Sequence, residues 1–198
     1  EGIAQPILLG RRSVIEGLIE EHSLELEGVE VINPRADEEY ERRCEFGAEF
    51  FQLRMRHGLT AREGERLMRQ RNYFGAMMVR KGMADALISG LTRTYPSVIR
   101  PALQVIGKAE GVDKVAGMYI LETKRGPMFF ADTTVNLNPS AEEIVSITLL
   151  AAKAVRNLRI VPRIALLSYS NFGSAGGVDA EKMAAAARIL KERHPDLI

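Results

Sequence analysis

At 198 residues, with 46% hydrophobic and 27% charged residues, the chain has the composition of a folded α/β-sized domain and not of a disordered segment. Lys+Arg 27 against Asp+Glu 26 leaves a net charge of +1, which disfavours a basic face for nucleic acid. The single cysteine, Cys44, excludes an internal disulfide and fits a reducing, cytoplasmic setting.

Apolar runs of strand length alternate with amphipathic runs of helical length, the signature of an α/β chain. Residues 5–9 read as a short strand, 13–21 as a helix and 29–32 as a second strand. Asp37 then opens a helix with Tyr40, Cys44, Gly47, Phe51 and Met55 on one face, stopping near Gly58. Thr60-Ala61-Arg62-Glu63 is a capping box that starts the next helix, running toward Arg69. Residues 73–80 continue as an apolar helix, with Met77, Met78 and Met55 reading as core. A β-prone run at 86–90 leads through a polar loop to a helix over 97–106. Segments 115–122 and 128–131 flank the tight connection Lys124-Arg125-Gly126-Pro127. A second capping box, Ser140-Ala141-Glu142-Glu143, launches a helix to Asn157. Residues 163–168 read as the last strand and 179–193 as the last helix, with Asp179 its N-cap.

Residues 144–155, the longest apolar stretch, contain Ser146, Thr148 and Lys153 and are too short to span a bilayer, so no membrane is expected. The chain begins with Glu1, not Met, and 195–198 read as a strand about to begin. It therefore reads as a piece of a longer protein, truncated at both ends.

Two strand–loop–helix crossings are the places where a ligand would sit, because strand ends and helix N-termini present free backbone N–H groups to anions. The first holds Ser89, Gly90, Arg93 and Thr94 and leads to Arg100; the second holds Ser170 and Asn171. Neither loop matches a nucleotide-binding fingerprint. Arg93, in the loop, and Arg100, on the first turn of its helix, are the sharper signal. A guanidinium is a planar fork of donors that suits phosphate, and two of them can bracket a diphosphate. Arg54 lies in an Arg-rich segment, which by itself reads as a solvated face. Thr133 and Asn136 precede a capped helix, where turn chemistry competes with a rim role. Ser170 and Ser174 lack a base, since His22, His57 and His194 all sit at helix ends, and no residue cluster has metal-ligand spacing.

Asp85-Ala86-Leu87-Ile88-Ser89-Gly90 followed by Ile99-Arg100-Pro101-Ala102-Leu103-Gln104 resembles phosphate acetyltransferases. So do Val135-Asn136-Leu137-Asn138-Pro139-Ser140-Ala141-Glu142, Pro162-Arg163-Ile164-Ala165-Leu166-Leu167-Ser168-Tyr169-Ser170, and Leu53-Arg54 before Gly58-Leu59-Thr60. The stretches Asn72-Tyr73-Phe74-Gly75-Ala76-Met77-Met78-Val79-Arg80-Lys81-Gly82 and Gly90-Leu91-Thr92-Arg93-Thr94-Tyr95-Pro96 are closer to the phosphotransacetylase-like C-terminal domain of bacterial hybrid malic enzymes. Active transferases carry a His-Ser/Thr-Thr-Ala stretch where this chain has Arg93-Thr94-Tyr95-Pro96.

The resemblance implies a two-domain α/β sandwich of the phosphotransacetylase-like (isocitrate/isopropylmalate dehydrogenase-like) kind, with residues 1–198 expected to be a part of it that lacks its N-terminal start and its C-terminal third. It implies acetyl-CoA or CoA as ligand, a dimer as building block, and Arg54 and Arg100 as holders of phosphate or CoA. Ser89, Gly90, Arg93, Thr94, Thr133, Asn136, Ser170 and Asn171 complete the expected binding set. The aspartate thought to deprotonate the CoA thiol is expected beyond Ile198, so no catalytic residue is assigned here. The expected function is regulatory: acetyl-CoA binding that inhibits an NADP-dependent malic enzyme, whose N-terminal part would hold NADP and a divalent metal and convert malate to pyruvate. The alternatives are an active phosphate acetyltransferase and a purely structural oligomerisation module.

Overall fold

In the computed structural model, which describes residues 3–26, 28–171 and 173–197, the chain divides into two units, Glu1–Gly107 and Lys108–Ile198. In the first, β1 (Ile7–Leu9) and β2 (Glu30–Ile32) pair in parallel, Ile7 opposite Glu30 and Leu9 opposite Ile32, with α1 (Arg12–Glu21) as the crossover. Parallel neighbours need such a crossover, because a tight turn can join only antiparallel strands. A 3₁₀ turn at Asp37–Glu39 leads into α2 (Tyr40–Arg54), followed by α3 (Ala61–Leu67), α4 (Arg71–Arg80) and α5 (Tyr95–Val105).

The core of this unit is built on α2 and α4. Phe46 and Phe74 meet at a centroid distance of 5.1 Å, and Phe50 and Tyr73 at 5.3 Å. Met68, Met77, Met78 and Val105 close around them. The buried face of α2 is Arg43, Phe46, Gly47 and Phe50, rotated by about one residue from the expected stripe. Tyr40 and Met55 are exposed, and Cys44 and Phe51 only half-buried. The cause is Arg43. It is 1% exposed, and its guanidinium donates to the carbonyls of Pro34 (3.0 Å) and Ala36, beneath the Tyr40 ring. Two carbonyls and an aromatic face offset much of the cost of enclosing this charge where periodicity alone would place it in water, although its Nε meets no partner among the described residues.

Gly47 and Gly64 allow α2 and α3 to meet backbone to backbone, since a Cβ on Gly47 would lie 2.7 Å from Glu65 Cα and one on Gly64 2.7 Å from Gly47 O. The corner between the two helices is made at Gly58, whose φ of +83° is the left-handed conformation a side chain resists. The expected capping box is present: Thr60 accepts from the Glu63 amide, and Glu63 accepts from the Thr60 amide.

In the second unit β3 (Met118–Thr123) and β4 (Gly126–Ala131) form an antiparallel hairpin closed by Lys124 and Arg125. Both strands are set later or start earlier than read from sequence, because the Thr123 hydroxyl donates to Gly126 O (2.7 Å) and fixes the turn there. Then come α6 (Ala141–Asn157), with its capping box at Ser140, and α7 (Val178–Arg193). Ile144, Val145, Ala186 and Leu190 form the core between them. α7 begins one residue before Asp179, so Asp179 is not its N-cap; it lies in the first turn and pairs with Lys182 at 3.1 Å.

Two expected strands, 86–90 and 163–168, are not strands. Residues 162, 164 and 166 alternate inward as a strand would, but neither segment has a ladder partner among the described residues. A strand is a property of two paired segments, and side-chain alternation specifies only one. Pro195 and Asp196 form a turn, with the Leu197 amide donating to His194 O; Ile198 lies outside the described residues. No helix is long and apolar enough to cross a membrane among the described residues.

Candidate functional site

Arg54 ends α2, and Arg100 lies in the second turn of α5, because that helix starts at Tyr95, two residues earlier than the sequence suggests. The two arginines come together around Tyr73 of α4. Burial pushes the Tyr73 phenol above its ordinary value, while the positive charges of Arg100 and Arg54 pull it back. The hydroxyl therefore stays protonated near neutral pH and acts as a donor. It donates a hydrogen bond to Gln104 Oε1 at 2.6 Å. Gln104 stands one turn beyond Arg100, on the same face of α5.

An open depression of about 200 Å³ lies beside this group, bordered by Arg54, His57, Glu63 and Gln104 and by apolar Phe50 and Leu59. Among the described residues no carboxylate pairs with Arg54 or Arg100. Glu63, although on the border, is committed to its cap: the Thr60 amide and hydroxyl, donating at 3.0 and 2.8 Å, hold its carboxyl below the usual range. Two cations without counter-charges, beside an amide and a neutral hydroxyl, suit a phosphate-type anion. They form no nucleophile–base pair.

The other expected residues of this unit are arranged less tightly. The Ser89 hydroxyl donates to Asn72 Oδ1 (2.8 Å), and Asn72 Nδ2 donates to Ser97 O (2.9 Å), which ties the segment carrying Ser89 to α4 and α5. Gly90 O accepts from the Arg93 amide at 3.3 Å. Thr94 is the N-cap residue of α5 by position, but its side chain makes no cap bond. Arg93 is exposed and without a side-chain partner among the described residues.

In the second unit Thr133 and Asn136 lie between β4 and α6. Asn136 Nδ2 donates to Asp132 Oδ1 four residues back (2.8 Å) and to Val115 O, 21 residues back, before β3 (3.2 Å). Thr133 Oγ1 differs: it is buried and without a hydrogen-bond partner among the described residues. The loop carrying Ser170 and Asn171 is closed on itself. Ser170 Oγ accepts from the Ala175 amide (3.1 Å), Asn171 O from the Ser174 amide (3.0 Å), and Tyr169 donates to Gly176 O (2.7 Å). The Asn171 side chain is exposed. Lys182 Nζ reaches Asn138 Oδ1 at 2.7 Å, linking α7 to the β4–α6 connection.

The sequence alone places neither Tyr73 nor Gln104 at a site, and it offers His57 only as a histidine at a helix end. The Arg100–Gln104 spacing of one turn was a visible signal; Tyr73, in an apolar run, gave none. Among the described residues no group of three or more potential metal ligands converges.

A family model described as Phosphate acetyl/butaryl transferase matches residues 1–198. The NADP-dependent malic enzyme of Escherichia coli (strain K12) is 40% identical over 201 residues, covering 100% of this chain and 26% of that protein. The phosphate acetyltransferase of Bacillus subtilis (strain 168) is 34% identical over 195 residues, covering 98% of this chain and 59% of that protein. Among solved structures, a phosphotransacetylase from Streptococcus pyogenes superposes with a TM-score of 0.83 at 29% identity, covering 99% of this chain and 59% of that one. The chain thus spans about a quarter of the malic-enzyme relative and under two thirds of the transferases. Matched along its whole length by one family model, and with an α/β fold like that of a solved member, the chain belongs to the phosphate acetyl/butaryl transferase family.

Proposed function

We propose that this chain is the acetyl-CoA-binding regulatory part of an NADP-dependent malic enzyme, acting as a sensor and not as a transferase. The observation that carries the reading is the pair Arg54 and Arg100, free of carboxylates, beside the depression bordered by Gln104. Acetyl-CoA supplies the phosphates such a pair would hold. The malic-enzyme relative at 40% identity supports the context, since this chain spans 26% of it and the rest has room for a separate malate-oxidising part. NADP and a divalent metal would belong to that part, in a cytoplasmic homo-oligomer built on a dimer of this domain. Regulation requires acetyl-CoA to bind two conformations of the parent with different affinity.

The test uses the full-length protein. Saturating acetyl-CoA should inhibit malate-dependent NADP reduction, and Arg54→Ala or Arg100→Ala should weaken acetyl-CoA binding by about 1.5–3 kcal/mol, the scale of a charge-assisted hydrogen bond. Acetyl-CoA with phosphate should release no free thiol. Steady thiol release would instead favour an active phosphate acetyltransferase, a reading supported by the Bacillus subtilis relative and the Streptococcus pyogenes structure. Unaltered binding in both variants would leave a structural module.

A further inference from the structure

The Tyr73–Gln104 pair has a geometry that its place in the core does not require. Tyr73 is 6% exposed and its ring already packs on Phe50; the hydroxyl alone reaches out, to Gln104 Oε1 at 2.6 Å. A side-chain amide has one acceptor end and one donor end. With Oε1 taken by Tyr73, the free end of Gln104 is its NH₂ group, which meets no acceptor among the described residues. Gln104 borders the same depression as Arg54. Without the hydroxyl, the amide could turn either end toward an arriving anion, and the oxygen end would repel it.

We propose that Tyr73 and Gln104 are positioning residues of the anion site: Tyr73 holds Gln104 by its oxygen, so that the Gln104 amide nitrogen donates to a phosphate oxygen beside Arg54. The proposal rests on the reading of this depression as a phosphate site. The phosphate could belong to CoA or be free, and the measurement separates the two.

Affinities for CoA and for inorganic phosphate would be measured by calorimetry on the full-length protein, with thermal unfolding as a check on folding. Tyr73→Phe keeps the ring and should weaken one of the two ligands roughly 2- to 12-fold, the range of one neutral hydrogen bond. Weaker CoA binding alone assigns the depression to a CoA phosphate, and weaker phosphate binding alone to the free anion. Gln104→Leu should weaken the same ligand, and adding Tyr73→Phe to it should cost nothing more, because the hydroxyl acts only through the amide. Gln104→Glu still accepts from Tyr73 but offers no donor and adds a negative charge, so it should bind worse than Gln104→Leu while unfolding at a similar temperature. Additive losses, or Gln104→Glu binding as well as the wild type, would overturn the proposal. If Arg54→Ala weakens binding and Tyr73→Phe does not, this inference alone fails. If Arg54→Ala changes neither ligand, the reading of the depression fails with it.

Discussion

The two units differ in how they bury apolar surface. In the first, aromatic and Met side chains from α2 and α4 interlock, and Phe74, Met68 and Met77 are fully enclosed. In the second, among the described residues, a cluster of Ile144, Val145, Ala186 and Leu190 packs between α6 and α7 with Ile147, Ala152 and Val155 also buried on α6, and the β3–β4 hairpin leaves Tyr119, Ile120, Leu121, Met128 and Phe130 exposed, on both of its faces. A two-stranded hairpin is at best marginally stable by itself, so the local stability of the second unit rests on the helix pair. Ion pairs of a kind that contributes little tie helices in both units: Arg80–Glu49 and Lys81–Glu45 join the end of α4 to α2 in the first, and Arg156–Asp196 and Arg193–Glu142 link α6 to α7 and the turn after it in the second. The first unit differs in enclosing an arginine, Arg43.

The largest effect that could break this contrast is expected at the α2–α3 contact. Gly47→Leu forces a side chain into the backbone of Glu65 and should cost about 4 kcal/mol or more in urea unfolding, whereas a tolerated substitution would mean that the helices do not meet so closely. Next come matched truncations of the two cores. Met77→Ala, at a site with no exposure, should cost about 4 kcal/mol, and Leu190→Ala, 8% exposed, about 2 kcal/mol. Equal losses would erase the difference between the cores.

The smallest effects are at the two caps. Thr60→Ala and Ser140→Ala should each cost about 1 kcal/mol. Both capping carboxyls titrate below their ordinary value, Glu63 through its bonds from Thr60 and Glu143 through Lys114 first and the Ser140 amide second. A carboxyl depressed in the folded state adds stability above its unfolded pKa and loses it as the pH falls through the folded one. Acid titration below about pH 4 should therefore weaken both helix starts, and this loss should shrink in the two alanine variants.

Local chemistry was legible in the sequence. The capping boxes put α3 at Ala61 and α6 at Ala141, where the structure has them, and Lys124-Arg125 closes the hairpin. What depends on a distant partner was not. Segments 86–90 and 163–168 have the composition of strands, but pairing is decided elsewhere. The face of α2 turned because Arg43 found carbonyls in the 34–36 turn, which no periodicity encodes. The bond from Asn136 to Val115 O, 21 residues back, is likewise a distant pairing that its neighbours in the chain do not announce. The meeting of Arg54 with Arg100 was reachable only through the family likeness, since the residues between them carry no mark of it.

The depression also has a place in the order of folding. Its Arg54 and Glu63 sides are joined by the Gly58 corner, a short closure that can form early. The Tyr73–Gln104 side must wait for a partner 31 residues along the chain. Long closures cost more entropy and come later, so the depression is finished only when α5 docks on α4. An anion that binds only the finished form would hold that late docking in place. At a hundred times its Kd it would add about 2.7 kcal/mol to the stability of the first unit, making ligand concentration a folding variable for this half of the chain.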